Sequence, residues 1–253
     1  MPANQISVNL GSYQKFREGA LAHLASLGVR WVEIAGPAPD QVEATRARLA
    51  EHGMTAATLL ARCDLTEEPE AMRDSFLGGQ MLGVSRFFIS TRAGELPKPE
   101  AYRRLRARAE LAAEYGVTLC FETHPDLGEN VGEARATLHA VGHPNLRWNL
   151  DTANLYYYNS GVDAVDQAER GADLIGSVHL KDTNGATRCW WFPALGEGVV
   201  DFAGVFRALN RRGFFGPFTL ELEGVQGESL DESGVRERVA RSIGFLRAIG
   251  VSP

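Results

Sequence analysis

The chain has 253 residues, 44% of them hydrophobic and 23% charged, with 27 glycines and 11 prolines. That composition excludes a disordered, collagenous or disulfide-built protein, and the length suits either two small domains or one (β/α)₈ barrel of about 250 residues. Lys and Arg number 26 against 32 Asp and Glu, a net charge of −6 with no basic stripe, which removes the counterion-displacing surface that nucleic-acid binding needs.

Short β-rich runs alternate with helical patterns from end to end. The predicted strands are ISVNL at 6–10, VRWVEIA at 29–35, TAATLLA at 55–61, SRFFIS at 85–90, VTLCFE at 117–122, LRWNL at 146–150, LIGSVHL at 174–180 and PFTLELE at 217–223. Between them lie helical stripes such as Phe16, Ala20, Leu24 and Leu27, or Tyr102, Leu105, Ala109 and Ala112. Gly28, Gly53, Gly83, Gly116 and Gly213 stand just ahead of strands, where a left-handed helix C-cap is expected. Nearly continuous apolar runs such as SRFFIS suit parallel strands covered by helices on one side and by the barrel interior on the other. The first βα turn, NLGSYQKF, carries neither GxGxxG nor GxxxxGK[ST], which weighs against an open nucleotide-binding sheet. The expectation is one α/β domain over residues 1–253, a (β/α)₈ TIM barrel. No stretch reaches the length of a membrane span, and MPANQISVNLGSYQ lacks the regions of a secretory leader, so a cytoplasmic protein without membrane association is expected. Cys63, Cys120 and Cys189 are scattered and read as reduced thiols.

Reactive groups of such a barrel belong at the C-terminal ends of its strands. Four successive predicted strands end in FETHPD, NLDTAN, SVHLKD and TLELEG, which bring Glu122, Asp151, His179 and Glu221 to one mouth about one βα unit apart. Taken singly, a carboxylate there can be an N-cap and a histidine a hydrogen-bonded core residue. Taken together, three carboxylates and an imidazole require a counter-charge or the neutralisation of one member, and a divalent cation supplies the former. Oxygen-rich ligation favours Mn²⁺, then Mg²⁺ or Co²⁺, with Zn²⁺ behind them. Glu223 shares the strand face of Glu221 by period-two alternation and is the alternative last ligand.

The runs VTLCFETHPD, RWNLDTAN, GSVHLKD and LGEGVVDFAGVFRALNRRGFFGPFTLELEG resemble the sugar phosphate isomerase/epimerase family of xylose isomerase-like TIM barrels. The resemblance implies one divalent metal, often Mn²⁺, held by Glu122, Asp151, His179 and Glu221. It further implies that Glu122 and Glu221 move a proton on opposite faces of a keto-sugar. Two departures from the epimerase pattern stand out: Asn154 occupies the place of a histidine three residues after the aspartate, and Gly185 that of an arginine six residues after the ligand histidine.

The chemistry expected of this set is proton transfer at the carbon beside a carbonyl, with metal stabilisation of the enediolate. Expulsion of a β-hydroxyl or a larger group would make the same site a dehydratase or another lyase, and a binding role as one subunit of a hetero-complex is a further alternative. His124, Asn154, Lys181 and Trp191 are the expected substrate contacts, Lys181 as the cation facing an oxyanion and the aromatic run Trp190, Trp191 and Phe192 as a stacking surface or an oligomer contact. Tyr156, Tyr157 and Tyr158 admit the same two roles, whereas His23, His52, His139 and His143 read as structural. The expected partner is an unphosphorylated carbohydrate, since Arg62, Arg92, Lys181 and Arg188 form no recognisable phosphate cradle in the sequence.

Overall fold

The computed structural model describes residues 3–252. Chain order runs β1 (Ile6–Asn9), α1 (Ala20–Ser26), β2 (Trp31–Ala35), α2 (Val42–Ala50), β3 (Thr55–Arg62), α3 (Arg73–Leu82), β4 (Arg86–Ser90), α4 (Lys98–Glu114) and β5 (Thr118–Glu122). It continues through α5 (Val131–Val141), β6 (Leu146–Asp151), α6 (Asn154–Tyr158), α7 (Ala164–Gly171), β7 (Ile175–Leu180), β8 (Trp191–Phe192), α8 (Phe202–Asn210), β9 (Phe218–Leu220), β10 (Gly224–Val225) and α9 (Glu232–Ala248). Strands β1 to β7 and β9 form a closed barrel in that order, every pairing parallel, with β9 returning to β1. The fold is the expected (β/α)₈ barrel, and all eight predicted strands are present. The eighth is shorter than expected: it stops at Leu220, so Glu221 and Glu223 lie in the connection beyond it.

All five glycines expected to cap helices have positive φ, from 64° at Gly53 to 83° at Gly83. Their missing Cβ lets the chain reverse into the next strand at little steric cost. The helices begin on matching signals, with Asn130, Asp163, Asp201 and Asp231 accepting backbone N–H groups of α5, α7, α8 and α9.

The strands alternate more than their sequence suggests. One set of positions, including Val8, Val32, Ile34, Phe87, Ile89, Phe121, Leu150, Val178 and Leu180, joins the apolar shell between barrel and helices. The other set meets inside the barrel and is largely polar: Ser7 Oγ lies 2.7 Å from Thr219 Oγ1, and Ser177 Oγ donates to Asn149 Oδ1 at 2.6 Å. Buried polar groups are tolerated because they satisfy one another.

Two ladders slip by one residue. Between β2 and β3 the register moves from Val32↔Ala56 to Glu33↔Thr58, and between β6 and β7 from Trp148↔Ile175 to Asn149↔Ser177. The unmatched residues are Ala57 and Gly176, and the second slip sets Asp151 opposite His179. Such bulges re-aim the side chains that follow them.

Candidate active site at the barrel mouth

Asp151 ends β6 and His179 lies next to it near the end of β7, while Glu221 follows β9. One ligand atom from each of these three lies within 4.8 Å of the others. Glu122, the fourth expected ligand, ends β5 and stands outside that group of three, although the Glu221 charge still acts on it.

Asp151 serves two purposes, one with each oxygen. Its Oδ1 accepts the backbone N–H groups of Ala153 and Asn154 at 2.9 Å each, capping α6, while Oδ2 is left facing the cluster. Asp151 Oδ2, His179 Nδ1 and Glu221 Oε2 are buried and make no hydrogen bond of acceptable angle among the described residues. They nonetheless crowd one another: His179 Nδ1 is 3.2 Å from Glu221 Oε2, and Lys181 Nζ lies 2.8 Å from Asp151 Oδ2 and 2.7 Å from Glu221 Oε2. Two carboxylate oxygens and one imidazole nitrogen converging in this way fit a borderline divalent cation.

Lys181 is placed otherwise than as a substrate contact at the surface of the pocket. It is fully buried, and a third carboxylate, Glu223, holds its ammonium at 2.7 Å. Burial disfavours the charged amine, but Asp151, Glu221 and Glu223 together hold its pKa well above the ordinary lysine value. The same geometry separates the two glutamates left open by the sequence. Glu221 belongs to the three-donor cluster, and Glu223 sits farther out as the outer partner of Lys181.

Glu122 and Glu221 are pushed in opposite directions. Burial, then the nearby Glu221 charge, raises the Glu122 carboxyl to about 8. Burial would raise Glu221 as well, but the Lys181 and His179 charges outweigh it and hold that carboxyl below the usual range. Asn154 donates to Glu122 Oε1 at 3.2 Å, and His124 Nδ1 is 3.0 Å from Glu122 Oε2. Asn154 therefore touches the carboxylate. For His179, burial favours the neutral ring, yet Glu221 and Glu33 keep its pKa well above the ordinary histidine value.

A cavity of about 300 Å³ opens above these groups, lined on the polar side by Ser90, Glu122, His124, Asn154, Glu221 and Glu223, with the Phe88 ring beside them. Tyr157, Tyr158, Trp190 and Phe192 close the other side, with Trp190 and Phe192 ring centroids 5.1 Å apart and Tyr157 edge-on to Trp190 at 6.2 Å. Trp191, an expected contact, lies in β8, which pairs with β10, and of the three consecutive aromatics Trp190 and Phe192 line the cavity. Asp182 anchors the loop that carries them, accepting backbone N–H groups from Gly196, Gly198 and Val200 at 2.8, 2.9 and 3.2 Å. Arg92 also lines the cavity and donates to Tyr158 Oη at 3.2 Å. Arg62 is taken up by Asp64 and Glu67.

Two contributors have no counterpart in the sequence reading, Glu33 on β2 and Asn9 on β1. Glu33 Oε1 is 3.1 Å from His179 Nε2, and Asn9 Nδ2 donates to Glu33 Oε1 at 2.9 Å and to Glu221 Oε1 at 3.3 Å. The available signal was a single carboxylate between Val32 and Ile34, an acid inside an otherwise apolar strand.

Residues 21–249 match the family described as xylose isomerase-like TIM barrel. Among curated proteins, the L-ribulose-5-phosphate 3-epimerase UlaE of Escherichia coli is 32% identical over 120 residues, a stretch that is 47% of this chain and only 40% of that relative. Among solved structures, an L-ribulose 3-epimerase superposes with a TM-score of 0.77 at 19% identity, covering 98% of this chain and 94% of the other. The IOLI protein, solved with a bound zinc atom, gives 0.74 at 15% identity over 97% and 98% of the two chains. With the match running through nearly the whole barrel, this chain belongs to the xylose isomerase-like TIM barrel family.

Proposed function

We propose that this protein is a sugar epimerase or isomerase that moves a proton at the carbon beside the carbonyl of a keto-sugar. The observation that carries the reading is geometric: Glu122 and Glu221 line one cavity of about 300 Å³, beside the convergent donors Asp151 and His179. That volume lies at the small end of ligand pockets, roughly 300–1,000 Å³, and suits a monosaccharide.

Asp151, His179 and Glu221 would hold a divalent cation, with Glu122 as the candidate fourth ligand. Such an ion supplies electrostatic stabilisation to negative charge developing on the substrate oxygens. Its identity is proposed as Mn²⁺ first, with Mg²⁺, Co²⁺ and Zn²⁺ as alternatives.

The chain's own residues divide the proton transfer between them. Glu122 and Glu221, which line the same cavity, form the pair that removes a proton from one face of the substrate and returns one to the other. Asn154 and His124 orient the Glu122 carboxyl through its two oxygens. Lys181 balances the charge of the acidic cluster, and its contact with Glu223 is one that cation ligation by Asp151 and Glu221 would leave in place. Tyr157, Trp190 and Phe192 offer C–H-stacking faces and exclude water.

The test is incubation of the Mn²⁺-supplemented protein with a panel of ketoses, phosphorylated and not, in D₂O. Deuterium entering the carbon beside the carbonyl, with formation of the epimer or aldose, is the expected result. Absence of exchange across the panel sinks the proposal. Loss of a β-hydroxyl in place of epimerisation would assign the lyase outcome instead.

A further inference from the structure

Glu33 is fully buried in the middle of β2. Taking a carboxylate out of water costs several kcal/mol unless hydrogen bonds replace the lost hydration. Three donors do so here, and two of them are its own ladder neighbours. Asn9 and Thr58 are the residues opposite Glu33 on β1 and β3, the latter through the register slip at Ala57. Asn9 Nδ2 donates to Oε1 at 2.9 Å, and Thr58 Oγ1 donates to Oε2 at 2.6 Å. The third is His179 Nε2, at 3.1 Å from Oε1 and 3.4 Å from Oε2.

Both oxygens of Glu33 already accept, from Asn9 and from Thr58, so the contact with His179 is assigned as Nε2–H donating to the carboxylate. The other ring nitrogen, Nδ1, is thereby the one turned toward Asp151 and Glu221. Phe88 stacks on the imidazole, with centroids 4.4 Å apart and planes at 29°, and restrains the ring from the side. Asn9 extends the same framework to Glu221 Oε1.

We infer that Glu33 is the positioning residue of this site: it holds the Nε2–H of His179 and thereby aims Nδ1 into the donor cluster, while Asn9 ties Glu221 to the same anchor. The inference rests on the reading of Asp151, His179 and Glu221 as cation ligands. Partners behind a ligating histidine typically change metal affinity 10–100-fold when removed.

The experiment combines ¹⁵N-histidine NMR with Zn²⁺ and Co²⁺ titration against a competing chelator, on the wild type, Glu33→Gln and Glu33→Leu. In the wild type, His179 Nε2 carries a slowly exchanging proton with and without Zn²⁺. That proton signal shifts in Glu33→Gln and is lost in Glu33→Leu. Affinity falls about 10–100-fold in Glu33→Leu and less in Glu33→Gln, whose amide oxygen still accepts, and the visible spectrum of the Co²⁺ form changes in step. Wild-type His179 without a proton on Nε2 overturns the inference, as does unchanged affinity and spectrum in both variants. Should Glu33→Leu fail to fold, Glu33→Gln and the wild-type proton decide. Wild-type protein that binds neither ion, yet keeps the protected Nε2 proton, defeats the cation reading of the site while supporting the hold of Glu33 on the ring.

Discussion

The Lys181 ammonium stands 2.7 Å from Glu221 Oε2, the same oxygen that faces His179 Nδ1. An internal cation thus already occupies one side of the acidic cluster. Removing it by Lys181→Met leaves Asp151 and Glu221 buried without that counter-charge, and breaking a buried pair in this way costs about 3–5 kcal/mol. The metal-free variant should melt well below the wild type, and Mn²⁺ should recover more stability in the variant than in the wild type. Thermal unfolding with and without Mn²⁺ checks both; equal melting of the metal-free proteins would disprove the role.

Glu122→Gln and Glu221→Gln should each depress solvent exchange of the substrate proton about 10²–10⁴-fold. They differ in a second measurement. Glu221→Gln should weaken cation binding more than Glu122→Gln does, because Glu221 belongs to the three-donor group and Glu122 stands outside it. Chelator competition beside the exchange assay separates them, and retained exchange in both variants would remove the two-glutamate scheme.

Burial, followed by the Arg92 and Lys181 charges, lowers the His124 pKa from 6.5 to about 3. Between those values the unfolded chain binds the proton that the folded protein rejects, so this contribution is complete above pH 6.5 and is lost as the pH falls toward 3. The metal-free wild type should therefore lose stability across that window more steeply than His124→Asn. Urea unfolding at a series of pH values measures the slopes, and parallel slopes would count against the assignment.

Asp182→Ala removes the acceptor shared by Gly196, Gly198 and Val200. Each backbone N–H left unpaired costs about 1–3 kcal/mol if it stays buried, so the loop is expected to loosen rather than bear that cost. Trp190 and Phe192 then lose their fixed place over the cavity. Protease cleavage within residues 183–200 should speed up, and KM should rise more than kcat falls.

Much of the site could be read from strand ends because the barrel sends its C-terminal edges to one face. Glu122, Asp151, His179 and Glu221 follow from that rule and from their spacing. Glu33 did not, because it lies within an apolar strand and gains its meaning only from His179, 146 positions away. Lys181 was visible as a cation, but its burial among three carboxylates depends on Asp151 and on the 221–223 connection meeting β7. Trp191 lies off the cavity for a related reason. Which of three adjacent aromatics turns inward depends on the phase of a two-residue strand, set by its pairing with Gly224 and Val225.

The slip at Gly176 gives one small residue control over the polarity of the mouth. A Cβ at that position would fall 2.6 Å from Arg147 Cβ and 2.7 Å from Cys120 Sγ, so only glycine fits without rearrangement. Were Gly176 taken into the ladder and the pairing continued in phase from Trp148↔Ile175, Asp151 would fall opposite Val178, and a hydrocarbon would be presented where the imidazole now stands. The acid–imidazole pairing therefore depends on Gly176 being left out of the ladder, and a segment transplanted between related barrels would carry its chemistry only if that slip were kept.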